Sequence, residues 1–179
     1  MNTTQYKPHE YKQYLQMDHQ KHLLVEGRDD YFFFQALFDE FLGTEWRDTH
    51  NIVIDKAESL ISFADNSKGN REKVEHTIEA TCTAFPQNKL AGFVDREFRK
   101  FEWETKLIDQ IKKHHKDGQL VWARGHSIEN YFLDADILRA PFRDVSGEIF
   151  KKAHDLFRQN IQAYLETAGA ITLVGLQLD

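Results

Sequence analysis

The stretch His22-Leu-Leu-Val-Glu26-Gly27-Arg28-Asp29-Asp30 runs from apolar residues into a glycine and a cluster of acids. A second stretch, Leu90-Ala-Gly-Phe-Val-Asp95-Arg96-Glu97, has the same shape. A carboxylate directly after a short apolar strand lies at the rim of a parallel sheet, where open α/β folds place their ligands. Two such rims side by side would gather Glu26, Asp95 and Glu97 into one oxygen-rich site. Three clustered carboxylates repel one another, so the arrangement makes sense mainly around a hard divalent cation such as Mg2+ or Mn2+. Gly27 is expected to let the backbone turn tightly while Glu26 projects into the crevice. Asp95 and Glu97 are expected to alternate along an extended segment and so point to the same side.

Outward from these stretches, strands alternate with helices. Residues 1–20 predict a short leading helix, and residues 22–25 a buried strand. Phe33, Leu37, Phe38, Phe41 and Leu42 recur at helical spacing, so residues 30–42 predict an amphipathic helix, with Gly43 at its C′ position. The run Ile52-Val-Ile54 predicts a second strand. Residues 65–70 read as a polar loop, and Asn70 as the N-cap of a helix carrying Val74, Ile78 and Cys82, closed by Pro86. Cys82 is expected in the core. Residues 90–94 form the third strand. Trp103, Leu107 and Ile111 predict a fourth helix with Gly118 beyond it, and residues 120–123 a fourth strand. Residues 148–168 predict a long helix, followed by the apolar ending Ile171-Thr-Leu-Val174. Such alternation implies βαβ units and a mostly parallel sheet.

Composition narrows the class. A chain of 179 residues with 41% hydrophobic residues and 14 phenylalanines can build a sizeable core, which excludes global disorder. No apolar stretch approaches the ~20 residues of a membrane span, and the N-terminus lacks the apolar core of a signal peptide. A single cysteine permits no internal disulfide. These features predict a cytoplasmic protein. The formal net charge of −6 argues against a domain that grips nucleic acid through a broad basic surface. It leaves room for a nuclease, because a bound metal offsets acidity at the site itself.

The Glu26-Gly27 and Asp95-Arg96-Glu97 motifs resemble the TOPRIM domain of type IA topoisomerases, bacterial primases and OLD-family nucleases. That family's second motif is usually Asp-x-Asp, and Glu97 stands in its final place here. The segment His126-Ser-Ile-Glu129-Asn-Tyr-Phe-Leu133 resembles a signature of a TOPRIM-like group found in anti-phage defence operons. That group includes the effector subunit of the PARIS system. The resemblance covers residues 22–134, with three motifs in order. It implies an α/β fold, a TOPRIM (Rossmann-like) mostly parallel sheet flanked by helices. Residues 1–134 would form the catalytic domain, with its core at 22–134. Residues 135–179 would form a helical extension, the start of a truncated C-terminal region. It further implies a Mg2+- or Mn2+-dependent endonuclease toxin that cleaves host transfer RNA. An ABC-type ATPase partner would hold it in check, and the released toxin is expected to form a homodimer.

Carried over by motif, Glu26 would be the central catalytic and metal-binding acid, with Asp95 and Glu97 as catalytic metal ligands. Glu129 would add a further ligand, and Asp30 a weaker one. Asp30 reads equally well as a helix N-terminal acid. His126 is expected to support the site by hydrogen bonding, alongside Gly27. Arg96, Arg99, Lys100 and Arg124 flank the acidic rim and are candidates for nucleic-acid backbone contacts. The run Lys112-Lys-His-His-Lys116 is explained by a helix C-terminus, where cations complement the dipole. Two other functions stay open: an OLD-like DNA nuclease, and a docking or sensor subunit whose carboxylates bind metal without catalysis.

Overall fold

The computed structural model describes residues 6–43, 45, 49–61, 69–86, 89–105, 107–111, 114–124, 127 and 150–178. In chain order the elements are α1 (Pro8–Met17), β1 (Lys21–Val25), α2 (Arg28–Leu37), β2 (Ile52–Lys56), α3 (Asn70–Thr81) and β3 (Leu90–Val94). Then come β4 (Phe101–Trp103), β5 (Leu107–Asp109), β6 (His115–Asp117), β7 (Leu120–Trp122) and α4 (Phe150–Leu178). The chain divides into two compact units, Met1–Asp95 with His114–Ala123, and Arg96–Lys113 with Arg124–Asp179. This division falls inside the stretch expected to form one catalytic domain.

The first unit holds a five-stranded sheet in the order β2-β1-β3-β7-β6. The pairs β1–β2, β1–β3 and β3–β7 are parallel, and β6 runs antiparallel at the edge. The four strands expected from the apolar runs are all present. Central β3 is buried at nearly every position, as a parallel strand covered on both faces must be. One face packs against α1 and α3 through Tyr11, Leu15, Leu24, Val74, Ile78, Leu90 and Val94. Each such side chain contributes roughly 1.5–3 kcal/mol by leaving water. On the other face, the Phe34 ring of α2 meets Phe93 edge-on at 4.8 Å. Gly92 lets α3 approach: a Cβ there would sit 2.7 Å from Ile78 Cγ1 and 2.9 Å from Val74 Cγ1.

A network of buried polar groups ties α1 to the sheet. His22 is 3% exposed, its Nδ1 lies 2.7 Å from Asp55 Oδ2, and Tyr11 O–H donates to the same oxygen at 2.8 Å. Burial, and then the Asp55 charge, push the Tyr11 hydroxyl well above its usual range. Tyr6 extends the attachment, donating its N–H to Ser59 O and accepting from Ile61 N–H, each at 2.8 Å.

Several boundaries differ from expectation. Helix α2 begins at Arg28 and gives way at Phe38–Leu42 to a π-helical turn, stopped by Gly43 at φ +76°. The N-cap of α3 is Gly69, with Asn70 its first helical residue, and α3 ends at Thr81, before Pro86. Cys82 is exposed rather than in the core. The expected polar loop at 65–70 lies outside the described residues except for Gly69 and Asn70.

Among the described residues, strands take the place of the predicted fourth helix. Phe101–Trp103 and Leu107–Asp109 pair as an antiparallel hairpin in which Trp103 stands opposite Leu107. Residues four apart are neighbours across a tight hairpin as well as along a helix, so their spacing did not discriminate. Gly118, at φ +59°, closes the two-residue loop between β6 and β7 rather than a helix. The helix-dipole explanation of residues 112–116 therefore fails: His115 and Lys116 lie in β6, and Lys112 and Lys113 lie outside the described residues.

In the second unit, α4 continues through Gly169 to Leu178, so the apolar ending is helical. Among the described residues, no helix is long and apolar enough to cross a membrane.

Candidate active site

The strand order reverses at β1: β2 lies on one side of it and β3 on the other. Such a switch point opens a crevice at the carboxyl ends of the flanking strands. Glu26 directly follows β1, and Asp95 directly follows β3. The two motifs meet there, because Asp95 N–H donates to Glu26 Oε1 at 2.7 Å. Both residues are partly buried.

Glu26 has unusual proton affinity. Burial pushes its carboxyl up to about 7. The bond from Asp95 N–H opposes this, the charges of Asp95 and Asp30 add to it, and Arg71 pulls it down. A carboxyl poised near neutrality is suited to exchanging protons with substrate or water.

Asp30 does what a helix N-terminal acid does: its Oδ2 accepts from Gly27 N–H at 2.9 Å. It is also near enough to Glu26 to act on it electrostatically. Gly27 is not in a tight glycine turn. Its φ of −150° is extended backbone that any residue adopts. A Cβ there would lie 3.8 Å from Glu58 Oε1 and 4.0 Å from Asp30 Oδ2, in the space between two carboxylates.

Two contributors were missed in the sequence. Glu58 stands on the 3-10 turn Ala57–Ser59 just after β2, and β2 adjoins β1 in parallel. Its oxygen therefore reaches the same rim. Arg71, in the first turn of α3, supplies a positive charge acting on Glu26 and lies 3.8 Å from Glu75. Neither follows an apolar strand in a motif. Only the strand order, which the sequence does not spell out, could have brought them in.

The second unit holds Glu97, Arg96, Arg99, Lys100 and Arg124. Glu97 does not continue an extended segment. It is exposed at φ +51°, opening a turn over residues 97–100 that also puts Lys100 at φ +61°. Arg96 is placed differently from a phosphate-contacting cation: it is fully buried. Its Nε donates to Arg99 O at 2.7 Å, and its Nη2 to Lys100 O at 3.0 Å and Asp109 Oδ1 at 2.6 Å. Its Nη1 donates to Arg124 O at 2.9 Å. These bonds bend the chain out of the extended conformation just before Glu97. Lys100 and Arg124 are exposed, and Arg99 is partly buried. His126 and Glu129 lie outside the described residues.

Among the described residues, no three His, Cys, Asp or Glu side chains form a cage for a metal ion. Among the described residues, Glu26, Asp95, Asp30 and Glu58 nonetheless bring carboxylates to the rim of the first unit. That chemistry fits Mg2+ or Mn2+, which take one or two carboxylates and keep other positions for water and phosphate. No protein-family model matches the chain, and no curated protein sequence does.

Proposed function

We propose that this chain is a metal-dependent nuclease of the TOPRIM kind that hydrolyses phosphodiester bonds of RNA, transfer RNA foremost. The observation that carries the reading is the Glu26–Asp95 pair, joined by a hydrogen bond at the strand ends flanking the switch point, with Glu26 near neutral proton affinity. Glu26 and Asp95, with Asp30 and Glu58 beside them, would hold Mg2+ or Mn2+. Such an ion supplies charge stabilisation to a phosphoryl displacement.

The chain's own part is to bind, orient and move a proton. Glu26 Oε1 is fixed by Asp95 N–H, which leaves Oε2 to take the proton of the attacking water. Asp30 holds Gly27, and through it the approach of Glu26 to the crevice. Arg71 offsets the negative field that would otherwise keep Glu26 protonated. In the cell, the resemblance supports a cytoplasmic toxin of anti-phage defence, restrained by an ABC-type ATPase and active as a homodimer on release.

The test is a parallel assay of the purified chain on transfer RNA and plasmid DNA with Mg2+, Mn2+ or chelator. Metal-dependent cleavage of transfer RNA, lost in Glu26→Ala with its circular dichroism unchanged, is expected. Cleavage of plasmid alone points to a DNA nuclease. An active Glu26→Ala variant, or a folded chain that cuts neither substrate, overturns the reading.

A further inference from the structure

Helix α2 starts at the carboxylate rim, with Arg28 two residues after Glu26, and none of its residues is buried. Phe34 ties it to the sheet through Phe93. The two rings before Phe34 are placed differently. Phe32 is 52% exposed, and the Arg28 guanidinium lies over it, 5.3 Å from the ring centroid. Tyr31 meets Phe32 edge-on at 5.5 Å, and the Lys56 ammonium lies over Tyr31, also at 5.3 Å. Arg28, Phe32, Tyr31 and Lys56 therefore form one continuous patch on the first unit. It adjoins the rim at two points. Lys56 pairs in register with Val25, the residue before Glu26, and Tyr31 N–H donates to Gly27 O at 3.2 Å.

A lone exposed phenylalanine is ordinary on a protein surface. Rings interleaved with cations beside an acidic rim are a more particular combination. A nucleobase stacks on an exposed ring through its π-face, and the phosphates on either side of it seek cations. One nucleotide can meet both here, because each cation already lies against a ring. A duplex keeps its base faces stacked on one another, so an unpaired nucleotide is the one that can lie on Phe32.

We propose that Phe32, with Tyr31, Arg28 and Lys56 around it, is a stacking platform for an unpaired nucleobase of the RNA, beside the phosphate brought to Glu26. The inference rests on the nuclease reading above and adds a substrate class to it: RNA whose strand is unpaired where it is cut. Stacking tolerates any base sequence. It also suits a chain whose net charge of −6 leaves little to non-specific attraction of phosphate.

The experiment measures filter binding by the full chain carrying Glu26→Ala in Ca2+, so that nothing is cut, with circular dichroism as the check on folding. The probes are transfer RNA, a short oligo-uridine, and the same backbone with abasic residues in place of the uridines. Phe32→Leu keeps an apolar side chain and removes the π-face, and Phe32→Trp enlarges that face. Since Phe32 is open to solvent and Phe34 holds the helix, both variants are expected to fold. Losing a stacked ring weakens binding by about 5- to 150-fold. Phe32→Leu is therefore expected to bind oligo-uridine at least about fivefold more weakly, and Phe32→Trp to bind it as well as the parent or better. All three chains should bind the abasic backbone alike.

Undiminished oligo-uridine binding by a folded Phe32→Leu chain overturns the inference. So does an equal loss on the abasic backbone, which would make the ring a prop for its cations rather than a stacking surface. A parent chain that binds transfer RNA yet is indifferent to Phe32 loses this inference alone. One that binds none of the three probes loses the nuclease reading with it.

Discussion

Glu26 carries a cost to folding. Its carboxyl ordinarily titrates at 4.5 and is pushed up to about 7 in the folded chain, chiefly by burial. Between these values the folded state binds more protons than the unfolded state, so stability falls as pH rises through that window. Below it the carboxyl is neutral in both states and the loss disappears. Glu26→Gln should therefore melt higher than wild type at pH 8 in chelator, with the gap closing towards pH 5. Differential scanning calorimetry at the two pH values reads this directly. An unchanged gap would mean that Glu26 is not the titrating group. The place of Glu26 at the end of β1 was legible in the sequence because it follows an apolar run directly. Its proton affinity was not, because that depends on Asp95 and Asp30 standing close by in space.

Elements defined by burial on both faces were legible, and those defined by local pairing were not. The run forming β3 is apolar throughout and that forming β1 over its last three residues, and few alternatives to a buried strand suit such short apolar runs. The hairpin of β4 and β5 imitated a helix, because Trp103 and Leu107 satisfy both geometries. What excludes the helix is Arg96 and the left-handed Lys100, and neither has a signature along the chain. Helix α3 meets β3 across Gly92, whose role appears only when the two are stacked. Gly92→Ala should push Val74 and Ile78 from their places and cost about 1–3 kcal/mol, measured by urea denaturation. A neutral substitution would show that α3 can slide away without loss.

For the molecule as a whole, the net charge argues against a broad basic surface. The net charge is −6, and Arg96 is buried in its own loop. On the nuclease reading, a chain of this net charge should lose no more than about tenfold in RNA affinity between 50 and 200 mM salt, as expected of roughly two phosphate contacts. Filter binding with Glu26→Ala in Ca2+ measures this without cleavage, and a thousandfold fall would reveal a basic surface elsewhere. The convergence of Glu26 and Asp95 was foreseeable from two motifs alone. The addition of Glu58 and Arg71 was not, because it depends on β2 adjoining β1 and on α3 starting beside that rim.

The attachment of α1 has a practical consequence for handling the protein. The leading residues are polar in the sequence and carry none of the acidic motifs. Yet Tyr11 and Leu15 are as buried as any core residue, and Tyr11 shares Asp55 with His22. Trimming residues 1–17 would strip a lid from Leu24 and Leu60 and leave Asp55 without its hydroxyl donor. Such a shortened chain is expected in inclusion bodies, or in solution with a dye-binding, loosely packed profile. A soluble, cooperatively melting product would show the helix to be an accessory. Tags placed ahead of Tyr6 should therefore carry a flexible spacer, so that the bridge to Leu60 can still close.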